Sequence, residues 1–156
     1  MISPATLSNG DEGTAPVTVH EASRTQRYAA TSERQYLTDH IQFINHQQKQ
    51  ILLIDVSNCS AAEVAKIFHA VPEFVTVRPR DSVLILSDFT GAAFDPKAVR
   101  IMKETAVFDK PYVKRSAWMG TENFPQAFAE SVGSFSRREF PIFETRKEAL
   151  AWLAKD

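Results

Sequence analysis

The sequence predicts one α/β domain with a mixed, mostly parallel five-stranded sheet and about four helices. Residues 51–54 (ILLI) and 83–86 (VLIL) are continuous apolar runs, which are typical of strands covered on both faces. Apolar residues at helical spacing follow each run, and residues suited to helix caps precede them. The expected order is therefore an N-terminal antiparallel hairpin followed by βα units.

The first part of the chain has a different composition from the rest. Large side chains are sparse in residues 1–33, show no lasting period and are interrupted by Pro4 and Pro16. Such a segment buries too little apolar surface to offset its ordering entropy. We therefore expect a flexible N-terminal leader at 1–37 and a folded domain at 38–156.

The hairpin and the first helix follow from local pattern. Residues 38–45 alternate between apolar and polar side chains, so they predict a strand, and a short polar connection joins it to the strand at 51–54. Ser60 and Glu63 form a capping box at the start of a helix. Pro72 lies inside that helical pattern and is expected to kink or divide the helix.

The second half of the chain repeats the strand and helix pattern. The run at 83–86 ends at Asp88, and Asp95 followed by Pro96 starts a helix over 95–108. A third parallel strand is expected at 112–118, and Asn123 is expected to cap the next helix. A short strand at 140–143 and a capping box of Thr145 and Glu148 complete the domain.

Composition and charge restrict the function classes. The chain has 156 residues, is 44% hydrophobic, and carries 18 Lys and Arg residues against 19 Asp and Glu residues. This balance argues against a nucleic-acid partner, because such proteins usually show a basic excess. No apolar run approaches the roughly 18–20 residues of a membrane helix, and no secretory signal is visible. We expect a cytoplasmic protein without a membrane span.

Four stretches of the chain resemble a known family. They are ILLIDVSNCSAAEV (51–64), SVLILSDFTGAAFDPKAV (82–99), KPYVKRSAWMG (110–120) and FPIFETRKEALAWL (140–153). Together they resemble the bacterial STAS-like proteins of the SpoIIAA-like superfamily, which groups STAS domains of anti-sigma-factor antagonists with CRAL-TRIO lipid-carrying domains. The resemblance covers about residues 38–155. It implies a SpoIIAA-like (STAS-like) fold and a regulatory function.

The sequence departs from one feature of that family. In anti-sigma-factor antagonists, a serine or threonine near the start of the helix after the second buried strand is phosphorylated, and the added charge switches partner binding. The corresponding helix here begins Asp95-Pro96-Lys97-Ala98, and the nearest hydroxyls, on Ser87 and Thr90, lie upstream. This departure puts a phosphorylation switch in doubt, because phosphorylation needs a hydroxyl at the matching position.

Polar side chains follow the two buried strands at their carboxyl ends. Ligands of open α/β sheets bind at this edge, so the sequence predicts a ligand or partner surface there. The alternative is that the same side chains only bond the amides of their own turns. Nearby aromatic residues can line an apolar pocket. The predicted surface comprises Asp55, Ser57, Asn58, Asp88, Phe89, Thr90, Gly91, Phe94, Lys97 and Phe124.

No catalytic, metal or cofactor motif is recognisable. The four histidines lack metal-ligand spacing, and dinucleotide, P-loop and nucleophile-elbow motifs are absent. The single cysteine, Cys59, excludes an internal disulfide, and it is either a thiol activated by a helix N-terminus or a small buried side chain. We therefore predict no catalytic residue, no metal and no cofactor.

Basic and aromatic residues cluster in two places later in the chain. Lys110, Lys114 and Arg115 lie near Trp118, and Arg137 and Arg138 are consecutive. Cations beside aromatic rings can bind single-stranded nucleic acid or phosphate groups. With a total charge near neutrality, the sequence favours a solvated rim of the sheet instead.

These observations favour a non-enzymatic regulatory or protein-interaction module, with an unidentified protein partner bound around residues 88–98. The alternative is a carrier or sensor of a small hydrophobic or nucleotide ligand at the carboxyl ends of the strands. An enzyme that uses Asp55 and Asp88 would require both carboxylates to face one cavity. A homodimer is compatible with the exposed sheet edge of such a small domain.

Overall fold

The computed structural model describes residues 32–156, and the leader prediction for 1–31 lies outside the described residues. Residues Leu37–Asp156 form one compact unit, which contains the sheet. Residues 32–40 are helical (α1). The prediction of a strand from residue 38 is wrong at its start, because the first strand begins at Ile41, opposite Ile54.

Five strands form one sheet in the order β1-β2-β3-β4-β5. Strands β1 and β2 are antiparallel, and β3, β4 and β5 each run parallel to the strand before them. Gln47 and Gln48 form the hairpin turn with φ of 50° and 67°, as a two-residue turn of this twist requires. The predicted sheet is confirmed. The strands are β1 Ile41–His46, β2 Lys49–Asp55, β3 Val83–Asp88, β4 Val113–Met119 and β5 Ile142–Phe143.

Helices cover both faces of the sheet. Side chains of one face, including Leu53 and Leu86, pack against Leu153 of α5, and those of the other face meet α2, α3 and α4. This two-sided burial explains why the apolar runs lack alternation. No helix within residues 32–156 is both long and apolar enough to cross a membrane. The helices after α1 are α2 Ala61–Val75, α3 Pro96–Asp109, α4 Gln126–Ser136 and α5 Arg146–Leu153.

Pro72 does not divide α2, which continues to Val75. A proline at this position leaves the carbonyl of Phe68, four residues earlier, without its helical donor. The hydroxyl of Thr105 on α3 donates to that carbonyl at 3.0 Å, inside the core. A side chain 37 residues away in the sequence therefore fills the gap in the α2 hydrogen-bond ladder.

Asn123 does not cap α4, contrary to the prediction. Residues Thr121–Asn123 form a short 3-10 helix, and Pro125 occupies the cap position before Gln126. Phe124 has φ −91° and ψ 107°, because a residue before proline is driven out of the helical region. The predicted caps at Ser60, Asp95 and Thr145 are confirmed, each accepting a backbone N–H three residues later.

Candidate functional site

Two matching turns lie side by side at the carboxyl ends of β2 and β3. Asp55 Oδ1 accepts from the backbone N–H of Ser57 at 3.0 Å and from its hydroxyl at 2.6 Å. Asp88 Oδ1 makes the same pair of bonds to Thr90, at 3.0 and 2.6 Å. Because Asp55 and Asp88 are register partners, the two turns are neighbours. The structure thus brings the predicted polar residues together, in the local bonding pattern that the sequence left as the alternative.

Backbone hydrogen bonds join the two turns to one another. The N–H of Asn58 donates to the carbonyl of Thr90 at 2.7 Å, and that of Ala93 donates to the carbonyl of Cys59 at 2.9 Å. The N–H of Phe89 also donates to the carbonyl of Met119 at the end of β4. These bonds hold the loops after three strands in one fixed arrangement. We call the exposed side of residues 57–60 and 90–97 the strand-end surface.

Close approach of the loops explains why Gly91 is a glycine. Its φ is +69°, and a Cβ atom added there would collide with Oδ1 of Asn58. Asn58 itself has φ +58°, a left-handed conformation that asparagine tolerates better than most residues. Gly91 and Asn58 are therefore both suited to the backbone conformation and the close approach of the two turns.

Asp88 also has a partner that sequence reasoning missed. Its second oxygen, Oδ2, lies 3.1 Å from the guanidinium nitrogen of Arg146 at the start of α5. Asp88 is buried, whereas the side chain of Arg146 is 44% exposed. The two residues are 58 positions apart, so only the docking of α5 brings them together. With these bonds, both oxygens of Asp88 are engaged inside the protein.

The predicted aromatic residues form a packed cluster. Phe89 is fully buried and its ring centroid lies 5.6 Å from that of Phe94 and 5.3 Å from that of Phe124. The rings of Phe94 and Phe124 stack at 4.2 Å, and Trp118 packs on Phe124 at 5.2 Å. The rings occupy the space that an apolar ligand between them would need. Lys97 is separate from this cluster and lines a shallow groove of about 320 Å³ between α2 and α3.

Cys59 is buried at the base of the strand-end surface. Desolvation, with smaller contributions from Glu63 and Asp55, raises the pKa of its thiol to about 11. A thiol with this pKa is protonated near neutral pH and is a poor nucleophile. Of the two interpretations from sequence, the structure favours the small buried side chain. Within residues 32–156, no group of three or more His, Cys, Asp or Glu side chains is arranged to hold a metal ion.

A second polar location, which the sequence did not reveal, lies between the sheet and α3. A cavity of about 30 Å³ there has room for about two water molecules. Asp109 and Arg138 both line the cavity, and Asp109 Oδ1 has no hydrogen-bond partner in the described part of the chain. Burial raises the pKa of Asp109 to about 7, against a smaller opposing effect of Arg138. Nothing in the local sequence distinguishes Asp109 from an exposed residue in the last turn of a helix.

Comparison with known proteins identifies the fold. The chain is similar to a solved structure, an uncharacterised DUF3478-family protein with a SpoIIAA-like fold from Shewanella loihica PV-4. The TM-score is 0.57 at 18% sequence identity, and the match covers 73% of this chain and 92% of the other. The chain has a SpoIIAA-like fold. This confirms the fold that the sequence resemblance implied.

The other two comparisons found no relative. No protein-family model and no curated protein matches the chain. At 18% identity the structural match supports the SpoIIAA-like architecture and carries no activity with it. Function must therefore be argued from the geometry of this chain.

Proposed function

We propose that the protein is a non-enzymatic regulatory module that binds a protein partner through the strand-end surface. The proposal rests on the backbone hydrogen bonds that join the two turns. They include the bonds from the N–H of Asn58 to the carbonyl of Thr90 and from the N–H of Ala93 to the carbonyl of Cys59. These bonds fix the loops before any partner arrives. A preorganised surface loses little conformational entropy on binding, which favours affinity.

The bonding of the carboxylates supports a binding role over catalysis. Asp55 and Asp88 accept hydrogen bonds from their own turns, and Asp88 also pairs with Arg146. A general acid or base must reach the proton that it transfers, and Oδ1 of each carboxylate already accepts two hydrogen bonds from its own turn. The alternative of a small-ligand carrier at this edge has less support, because Phe89, Phe94 and Phe124 pack against one another.

Substitution at an exposed position of the strand-end surface tests the proposal. Ala93 is exposed, so Ala93→Arg adds a long side chain to this surface without burying a charge. Ala151 is exposed on α5, and Ala151→Arg is the matched control. The tagged full chain and both variants would be expressed in the native host, crosslinked and isolated, and quantitative mass spectrometry would compare the captured proteins.

We expect a defined partner to be captured by the wild type and by Ala151→Arg. We expect Ala93→Arg to deplete it about tenfold or more, because the added side chain obstructs the interface by as much as the loss of a hot spot weakens one. Reconstitution of the complex from the two purified proteins would follow. Equal capture by Ala93→Arg and Ala151→Arg, or no partner enriched by the wild type, would contradict the proposal. Equal melting temperatures of the variants would exclude misfolding as the cause.

A further inference from the structure

Two adjoining grooves lie at the opposite edge of the sheet, where the parallel strands begin. The first has a volume of about 340 Å³, and no carboxylate is among the described residues that line it. The second has a volume of about 400 Å³ and, within residues 32–156, a single carboxylate, Glu139. Lys114 lines both grooves. The cations of the first are Lys49, Arg78, Lys114 and Lys155, and those of the second are Lys110, Lys114, Arg115, Arg137 and Arg138. We call this face the basic face.

The basic face is a segregation of charge and not a consequence of composition. The chain as a whole has a formal charge of −1. Cations gathered in a concave surface raise the local concentration of anions more than the same cations dispersed over the protein. The basic face can therefore attract anions even though the net charge of the chain is slightly negative.

Some of these cations donate hydrogen bonds to carbonyls at helix C-termini. Lys110 Nζ donates to the carbonyl of Arg137 at 3.0 Å, at the end of α4, and Arg115 donates to carbonyls of Trp152 and Lys155 at 3.1 and 2.8 Å, at the end of α5. Cations at a helix C-terminus stabilise the helix, because they interact favourably with the negative end of its dipole. This structural role does not extend to Lys114.

Lys114 and Arg137 are not used in this way. Both are exposed, and neither side chain makes a hydrogen bond or ion pair within the described part of the chain. Strand β5 pairs with β4 only at Trp118 and Met119, so no described strand covers the edge of β4 near Lys114. Two cations are therefore available to a ligand in an open groove.

The basic face already interacts with one carboxylate. Asp156 Oδ1 lies 2.8 Å from Lys49 Nζ. The hydrogen bond and charge of Lys49, followed by the charges of Lys114 and Arg115, lower the pKa of Asp156. Cations that line both grooves therefore lie near enough to influence the same carboxylate.

The chemistry of the lining indicates the class of ligand. A groove of 340 or 400 Å³ is in the size range of small-molecule sites. Several separate cations match a ligand with several anionic groups, and Lys and Arg side chains are the usual partners of phosphate oxygens. We propose that the basic face binds a small ligand that carries two or more phosphate groups, with Lys114 contacting it between the two grooves.

Two sources can provide such a ligand, a soluble polyphosphate compound or the phosphorylated inositol headgroup of a lipid. Calorimetric titration of the full chain with sodium triphosphate at low ionic strength tests the first. Sedimentation with phosphatidylcholine vesicles containing phosphatidylinositol bisphosphate, or phosphatidylserine at equal charge, tests the second. Binding in either arm supports the proposal, provided that added salt weakens it, as charge screening requires.

Two matched substitutions decide whether the grooves are the site. Lys114→Gln is expected to weaken binding about tenfold, the effect of losing one charge-assisted hydrogen bond, and Arg137→Gln provides a second test. Lys147→Gln removes the same charge from an exposed position near the start of α5 and is expected to leave binding unchanged.

Four results would overturn the proposal. They are no binding in either arm, equal effects of Lys114→Gln and Lys147→Gln, preference for phosphatidylserine vesicles over the bisphosphate lipid, and tighter binding of a long single-stranded oligonucleotide than of triphosphate. Lys114→Gln should still capture the partner of the strand-end surface, so the outcome is separable from the proposed function.

Discussion

Asp109 is a carboxyl group enclosed by the protein, with 2% of the residue exposed to solvent. It shares a cavity with Arg138, whose pKa is lowered by burial and raised in part by Asp109. The two side chains form no direct hydrogen bond within the described residues, and Arg138 donates instead to the carbonyl of Ala106 at 3.0 Å. Burial therefore favours the neutral form of Asp109.

This residue predicts a pH-dependent stability. The pKa of Asp109 is about 7 in the folded protein and near its ordinary 3.8 when the chain is unfolded. Its contribution to stability is then fully present below pH 4 and is lost as pH rises through 7. One pKa unit corresponds to about 1.4 kcal/mol, so a shift from 3.8 to about 7 makes the loss by pH 8 on the order of 4 kcal/mol.

The substitution Asp109→Asn isolates this effect. We expect the variant to gain free energy of unfolding relative to the wild type as pH rises from 5 to 8, as measured by urea denaturation. Glu139→Gln, at an exposed position nearby, is a control that should show no such trend. Parallel stability curves for Asp109→Asn and the wild type would mean that Asp109 titrates normally.

At the scale of elements, α2 and α3 are joined by the bond from the Thr105 hydroxyl to the Phe68 carbonyl. Thr105→Val keeps the shape of the side chain and removes the donor. A buried carbonyl without a partner costs about 1–3 kcal/mol of stability. Pro72→Ala restores a backbone N–H that can donate to the same carbonyl, so the loss from Thr105→Val should be much smaller in that background.

A double-mutant cycle on Thr105 and Pro72, measured by chemical denaturation, checks this coupling. Thr105→Ser, which retains the hydroxyl, serves as the control and should keep the interaction. If Thr105→Val costs the same stability in the wild type and in the Pro72→Ala background, the threonine hydroxyl does not compensate for the proline.

The elements also show what the sequence could and could not predict. The apolar runs at 51–54 and 83–86 predicted the sheet. A strand that is buried on both faces is a continuous apolar run, and such a run can be recognised from neighbouring residues alone. The division of the helix at Pro72 did not occur, and the sequence could not predict its compensation, because the donor comes from Thr105 in another helix. The start of α4 was a local error, because proline disfavours the helical conformation at the residue before it, and Phe124 is not helical.

In the candidate site, too, the features set by local sequence were predictable, and those set by distant residues were not. The neighbouring positions of Asp55 and Asp88 were predictable from strand ends alone. Their hydrogen bonds to Ser57 and Thr90 are local and were anticipated as the alternative. The ion pair of Asp88 with Arg146 and the shared cavity of Asp109 and Arg138 depend on how helices dock, which no local pattern reports.

For the whole molecule, the two sheet edges differ in character. The strand-end surface is held by backbone bonds between loops, and the basic face is formed by long cationic side chains that are exposed or half-buried. Amides that open only with global unfolding exchange slowest with solvent. We therefore expect the amides of Asn58 and Ala93 to exchange nearly as slowly as those of β3.

Hydrogen exchange of the full chain, followed by mass spectrometry or NMR, measures this property. The amide of Ser82, in the loop at the opposite edge, also has a backbone acceptor and is a fair comparison. Exchange of Asn58 and Ala93 at the rate of unprotected amides would show that the strand-end surface is assembled only on binding.

The proline inside α2 has a consequence for synthesis on the ribosome. Residues up to Val75 emerge well before Thr105, so the growing chain holds a helix whose ladder is still incomplete. The carbonyl of Phe68 acquires the Thr105 hydroxyl as its donor only when α3 has been translated and docks. A nascent chain halted before α3 would thus lack this hydrogen bond, which forms only when α3 packs against α2.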